Sequence, residues 1–428
     1  MTLLDYSHTL FKGIKDNEYT FSYGVNKKIQ ELSLSSLELN TIKACLKGVI
    51  NRYFYLRFEL THSYGNIEED ILDYLVLGLS FVRYVSKVTV EDVINFIIES
   101  ENEKLKELDL EKLKDVYTSL KDNVTPIPEK YENNFAKKVS ILYSYPEWLV
   151  KMMKKHFGGK NTFKSIASSR RNSPINVTIN PNCELLSLTG ENFKKIEITD
   201  SGYEYVGKTP LIENALFREK KIYVMDAMEL LLVEKLNPFQ GDQVLVIGDN
   251  KSMLVSTIAL KMFDFGKVYY ACANQDSYFS MRKAIDLYKI KTVIPFEGDV
   301  TLACTHAEEK SLDKVLVIPP NSEFGLIRRK PEIAINFKQD SLDSLIENQR
   351  KYLQEASKFI KDDGVLMYAV PTLNIKESFN IVRLFIEENP DFEVEKEELI
   401  FPYMHQTTGM YYALIRKKTY DLEETKEW

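Results

Sequence analysis

The sequence predicts an α/β protein, an all-helical N-terminal domain followed by a doubly wound one, and three features carry that reading. From Met1 to about Ser144 there are few Gly or Pro residues, and apolar side chains recur at three- and four-residue spacing, as in Leu46, Val49, Ile50, Tyr53 and Phe54. That is the period of an amphipathic helix. After Met225 short continuous apolar runs alternate with helical stretches, and strands apolar on both faces belong to a parallel sheet covered by helices. The length of 428 residues suits two or three domains.

The N-terminal stretch MTLLDYSHTLFKGIKDNE lacks a basic start followed by an apolar run, so secretion is not expected. The longest apolar run, Ile71 to Val82, is interrupted by Asp73 and falls short of the roughly 18 residues a membrane span needs. It reads as a buried helix, and no membrane partner is expected. Lys104 to Lys121, rich in Glu, Lys and Leu, reads as a solvated helix face. Cys45, Cys183, Cys272 and Cys304 are far apart without a Cys-x-x-Cys pair. Neither a disulfide framework nor a metal site is expected, and a cytoplasmic location fits. The net charge of −7 argues against a surface coated in nucleic acid but leaves room for a local patch.

Such a patch lies between Leu149 and Cys183, where no Asp or Glu occurs and Lys151, Lys154, Lys155, Lys160, Lys164, Arg170 and Arg171 accumulate. Either a polyanion neutralises these cations, or they form a mobile basic loop around Gly158 and Gly159. The expected division is 1–145 helical, 146–205 a basic, RNA-binding connector, 206–418 doubly wound, and 419–428 an acidic tail.

In the doubly wound part, strands are expected at Gln243–Ile247, Lys267–Cys272, Thr292–Phe296, Lys314–Ile318, Val365–Ala369, Phe392–Leu399 and Met410–Ile415. Helices are expected at Met253–Phe263 and near Met281–Tyr288. A long helix is expected to carry Leu342, Leu345, Ile346, Gln349, Leu353, Ala356 and Ile360 on one stripe. Asn374 and Glu377 read as a capping box opening the next helix. A ligand crevice is expected at the strand ends.

The order of these features, with PEWLVKMMKKHFG (Pro146 to Gly158), FGLIRRKPEI (Phe324 to Ile333), the rhythm from Tyr352 to Tyr368 and FPYMHQTTGMYYALIRKK (Phe401 to Lys418), resembles the Sun-type, or RsmB, family of RNA cytosine-5 methyltransferases. The resemblance covers essentially the whole chain. It implies a NusB-like helical domain, a Rossmann-like class I methyltransferase domain, S-adenosylmethionine as cofactor and RNA, above all ribosomal RNA, as partner, with no DNA. It assigns cofactor contacts to Gly248 and Asp249 in the turn after the first sheet strand, to Cys272 where the family holds the ribose with a carboxylate, to Asp299 on the adenine side, and to Ile318 in place of an Asp. Ser252 and Met253 replace paired glycines of the family's first loop.

Cytosine carbon 5 becomes nucleophilic only after a thiolate adds to carbon 6, so the reaction needs sulfur. By the resemblance, Pro371 stands where the nucleophilic cysteine belongs and Asn321 where the second cysteine belongs, so no catalytic residue is expected. The Pro319–Pro320 turn also lacks the polar and aromatic residues of the amino-group methyltransferases. Cys272 and Cys304 read as packed residues. His405 matches a family histidine, whereas Thr408 replaces an acid. Arg328, Arg329 and Lys330 suit phosphate contacts at the mouth of the crevice and read alternatively as surface cations.

The expected function is a catalytically degenerate homologue of the small-subunit rRNA cytosine-5 methyltransferases that binds rRNA or another structured RNA. The alternative is an active S-adenosylmethionine-dependent RNA methyltransferase with a rebuilt cofactor loop. A third reading is a protein-binding scaffold.

Overall fold

The protein, seen in a computed structural model, is described over residues 1–183, 187–188 and 190–418. The expected acidic tail lies outside the described residues. Two compact units emerge: Met1–Arg171 with Ile327–Lys338, and Asn172–Leu326 with the chain from Gln339 onward.

The first unit is helical. Its main helices are Leu3–Lys15, Ser36–Ser63, Glu69–Tyr84, Val90–Ile98, Leu110–Asp122, Phe135–Tyr143 and Glu147–Ser169. Three of them open on capping boxes, Thr2 with Asp5, Ser35 with Glu38 and Thr89 with Asp92, which satisfy backbone donors that a helix start leaves open. The run from Ile71 to Val82 is buried as expected, and its Asp73 accepts from Lys15 Nζ at 2.7 Å and from the Tyr53 hydroxyl at 2.8 Å. This unit ends at Arg171 rather than 145, because Glu147–Ser169 packs with Phe135–Tyr143. Gly158, at φ 75°, breaks that helix from within, so the glycine pair marks a kink and not a loop. Ile327–Lys338 also belongs here. Ile335 joins the helical core, and Glu332, 3% exposed, accepts from the Phe21 amide at 3.1 Å.

The second unit opens with a small antiparallel sheet of β1 (Ile175–Ile179), β2 (Phe193–Lys195), β3 (Gly202–Tyr205) and β4 (Ile222–Val224) in the order β2-β3-β1-β4. The connector is therefore a folded element with its own core of Val177, Tyr203, Tyr205 and Ile222. The large sheet follows: β5 (Gln243–Ile247), β6 (Lys267–Cys272), β7 (Val293–Glu297), β8 (Leu312–Val317), β9 (Ile360–Val370), β10 (Phe392–Ile400) and β11 (Met410–Lys417). Its order is β10-β11-β9-β8-β5-β6-β7, with β5 to β9 parallel and β11 antiparallel to both neighbours. Along β5, Val244 and Val246 enter one core while Leu245 and Ile247 enter the other. Helices Ala227–Leu236, Ser252–Lys261 and Gln275–Tyr288 supply the first face, and Leu342–Ser357 and Phe379–Glu388 the second. This is the doubly wound, Rossmann-like arrangement.

Local expectations shift in three places. Ile360 opens β9 instead of closing the long helix, and the helix near Met281 starts at Gln275 behind an Asn274 cap. Asn374 caps a short 3₁₀ turn, Ile375–Glu377, that Glu377 ends, before the next helix starts at Phe379. No helix among the described residues is long and apolar enough to cross a membrane.

Candidate functional site at the strand ends

Parallel pairing of β8 and β9, with Val317 opposite Tyr368, brings two turns side by side: Ile318 to Ser322 and Pro371 to Asn374. The Ser322 and Thr372 hydroxyls lie 2.8 Å apart. Behind them sits the fully buried Glu377, whose carboxyl oxygens accept from the Ser322 amide at 2.8 Å and hydroxyl at 2.6 Å. The Thr372 hydroxyl at 3.0 Å and the side-chain amides of Asn374 at 3.0 Å and Gln349 at 3.1 Å donate to it too. A buried carboxyl must find such donors or forfeit its hydration. The pair read as a capping box is thus a cross-brace between the two turns.

Neither Asn321 nor Pro371, the positions that the resemblance sets against cysteines, carries a thiol. Asn321 is folded into its own turn: its Oδ1 accepts from the Glu323 amide at 2.8 Å and its Nδ2 donates to the Pro319 carbonyl at 2.9 Å. The Pro371 carbonyl accepts from Gly325 N at 2.9 Å, and a Cβ on Gly325 would stand 2.2 Å from the Gly409 carbonyl oxygen, so only glycine fits this crossing.

The cofactor positions expected from sequence gather on neighbouring strand ends: Gly248 and Asp249 after β5, Cys272 at the end of β6, Asp299 after β7 and Ile318 after β8. The turn after β5 is packed. The Ile318 amide donates to Ile247 O at 2.8 Å, and a Cβ on Gly248 would lie 3.2 Å from Ile318 Cβ and 3.4 Å from Lys251 Cγ. Lys251 turns inward, its amide donating to the Tyr270 hydroxyl at 2.9 Å and its ammonium pairing with Glu229 at 2.6 Å. Burial pulls the Lys251 pKa down, but Glu229 more than offsets it and holds the ammonium above its ordinary value. Asp249 accepts from Asn274 Nδ2 at 2.9 Å and from the Ser277 hydroxyl. Asp299 caps the following 3₁₀ turn through Thr301 N at 2.9 Å.

Cys272 is fully buried, and burial followed by the Asp249 charge pushes its thiol up to about 12. Ribose hydroxyls seeking an anionic acceptor at the end of β6 would meet a neutral thiol. The turn assigned to the methionine part packs on Ile318 and Lys251. At the end of β6 the residue present does not fit S-adenosylmethionine as a carboxylate would. Glu229 and Lys251 escaped sequence reasoning because each is defined by a partner some twenty residues away, and Glu377 was read only as half of a capping box because its partners Ser322 and Gln349 are distant along the chain.

The expected RNA-binding cations all fall in the helical unit. Arg328, Arg329 and Lys330 lie in Ile327–Lys338, which groups with the helical unit that also holds Lys151, Lys154 and Lys155. Lys151 pairs with Glu147 at 2.7 Å, Lys154 lies 5.2 Å from the Phe135 ring centre, and Lys155 and Arg171 are exposed. Arg170 is different: it turns inward, donating to Tyr143 O at 2.6 Å and to Ser144 O, over the Tyr145 ring at 4.8 Å. It caps the C-terminus of Phe135–Tyr143, where carbonyls favour a cation. Burial lowers its pKa to about 10. A guanidinium so engaged is not a surface contact for RNA.

Against known proteins, the family model for 16S rRNA methyltransferase RsmB/F matches residues 255–416. The chain is 26% identical over 298 residues to a probable ribosomal RNA small subunit methyltransferase B of Bacillus subtilis, covering 64% of this chain and 67% of that protein. It is 22% identical over 382 residues to the corresponding Synechocystis protein, covering 82% and 84%. Among solved structures, PH0851 superposes with a TM-score of 0.73 at 18% identity, over 97% of this chain and 98% of that one. A methyltransferase homolog protein from Pyrococcus horikoshii gives 0.57 at 16% identity, over 67% and 100%. At such identities the structures show a shared fold alone. The chain is thus a homologue of the Sun/RsmB-type ribosomal RNA methyltransferases, with the RsmB/F methyltransferase domain over residues 255–416.

Proposed function

We propose that this chain keeps the fold of a small-subunit rRNA cytosine-5 methyltransferase without its reaction, and acts by binding ribosomal or other structured RNA. One observation carries the reading: the two turns that would present sulfur to a pyrimidine present Asn321 and Pro371, with the Asn321 amide spent inside its own turn. Neither group forms a covalent adduct with a base at neutral pH. The packed Gly248 turn and the neutral Cys272 thiol support it from the cofactor side. The relatives' rRNA substrates and the cations of the helical unit support RNA as the partner.

Titration calorimetry with S-adenosylmethionine, paired with methyl-transfer assays on 16S rRNA fragments, tests the reading. No heat and no transfer, alongside RNA binding by the same preparation, is the expected result. Micromolar binding with methylation would replace it by the active enzyme with a rebuilt loop.

A further inference from the structure

The helical unit carries two open depressions that share Lys130. One, of about 690 Å³, lies between Asn133, Phe135, Lys154 and Lys155; the other, of about 360 Å³, between Phe58, His62, Tyr131 and Lys137. The Tyr131 ring has the Lys130 ammonium at 5.0 Å and the Lys137 ammonium at 5.8 Å from its centre. Phe58 and His62 stack at 5.7 Å. Carboxylates offset part of this charge: Glu147 pairs with Lys151 and Lys137, and Glu69 with Arg57. Lys130, Lys154 and Lys155 have no ion-pair partner among the described residues, so three uncompensated cations remain around aromatic faces.

Lysines alone would suit any polyanion, but here they alternate with rings set in concave surface. A duplex offers phosphates and keeps its bases stacked inside, leaving the rings idle. An acidic peptide has no flat π-faces to lay on them. A single strand offers both groups, phosphates for the ammoniums and unstacked bases for the rings. We infer that the depressions joined at Lys130 form a binding surface for single-stranded RNA, with phosphates at Lys130, Lys154 and Lys155 and a base against Tyr131. The inference rests on the RNA-binding reading above and narrows it to one face of the helical unit and one conformation of RNA.

Fluorescence anisotropy of the full chain with a labelled single-stranded 12-mer, a duplex of that sequence and a poly-glutamate peptide, over 50 to 300 mM salt, tests it. Counterion release of about 0.7 per phosphate predicts that Lys130→Ala/Lys154→Ala/Lys155→Ala lowers the log–log salt slope by about 2 and weakens binding on the order of 100-fold at 0.1 M salt. Tyr131→Ala should weaken single-strand binding about five-fold or more with the slope unchanged, since stacking carries no salt dependence of that kind. Thermal melts of both variants matching the parent would exclude misfolding as the cause. Duplex or poly-glutamate bound as tightly as the single strand overturns the inference. So does a triple variant that binds RNA like the parent; RNA binding itself then stands and lies elsewhere. A parent chain that binds neither RNA removes both readings.

Discussion

Removal of Glu377 should damage the α/β unit. Its carboxyl is fully buried and accepts five hydrogen bonds, from Ser322 twice, Thr372, Asn374 and Gln349. Glu377→Ala would leave these donors facing a cavity. Each unsatisfied buried donor costs roughly 1–3 kcal/mol, but the hydroxyls can re-pair with each other across their 2.8 Å separation and water can enter the polar space. A net loss of about 4 kcal/mol follows, and at 2–4 °C per kcal/mol for a unit of this size the midpoint should fall by about 8–16 °C. Glu377→Gln keeps an acceptor yet turns an NH₂ toward a donor, so it should fall roughly half as far. Differential scanning calorimetry of the full chain measures both. A Glu377→Ala midpoint within 2 °C of the parent would refute the brace.

Three further outcomes are expected. Alkylation of native protein at pH 8 should label exposed Cys304 first and leave buried Cys45 and Cys272 until urea is added, since a thiol near 12 is ionised only on the order of 10⁻⁴ at that pH; rapid labelling of Cys272 would restore a usable thiol to the strand ends. Lys251→Ala should cost about 2 kcal/mol by stranding Glu229, while Lys251→Met/Glu229→Leu costs less than the single change; calorimetric losses that simply add would show that the ion pair is not a unit. Asp313 is pushed up by burial but held lower overall by the Gln243 amide and Lys361, to below its ordinary 3.8. Its stabilisation is present above that pH and lost as pH falls through the folded value, so the gap between parent and Asp313→Asn should be open at pH 6 and narrow as the pH is taken below 3.8; a constant gap in urea midpoints would contradict the assignment.

What the sequence revealed and what it hid divide along physical lines. Strands β5, β6, β8 and β9 were legible because a strand buried on both faces reads as an unbroken apolar run, and VLVI and VLMYA cannot be solvated. Strands β1 to β4 were not, since three to five residues containing Asn176, Thr178, Lys194 and Glu204 give no apolar run, and their core of tyrosines comes from separate strands. Ile360 fits the long helix's stripe by spacing alone, yet pairing with Leu312 claims it for β9. The cations of Arg328–Lys330 were visible as charges, but nothing local tells that Ile335 and Glu332 tie their segment to a helical unit some three hundred residues away. At the strand ends, Asn321 and Pro371 could be named from the resemblance, whereas Glu377 mimicked a cap because i and i+3 are also the positions of a capping box.

The brace holds the two turns without help from the side chains at positions 321 and 371. Its donors come from Ser322, Thr372, Asn374 and Gln349, the first two each one residue past a position that the resemblance sets against a cysteine, and none comes from Asn321 or Pro371 themselves. Turn geometry therefore depends on hydroxyls and a buried carboxyl, while the chemistry depends on neighbouring side chains that contribute little to holding the turns. Asn321 even adds a local hydrogen bond that a thiol makes poorly. On the cofactor side a buried Lys251–Glu229 pair and a packed Ile318 give the turn after β5 internal partners. On the reading proposed above, turn stability thus rests on other atoms than those at positions 321 and 371, so the scaffold does not depend on sulfur at either position.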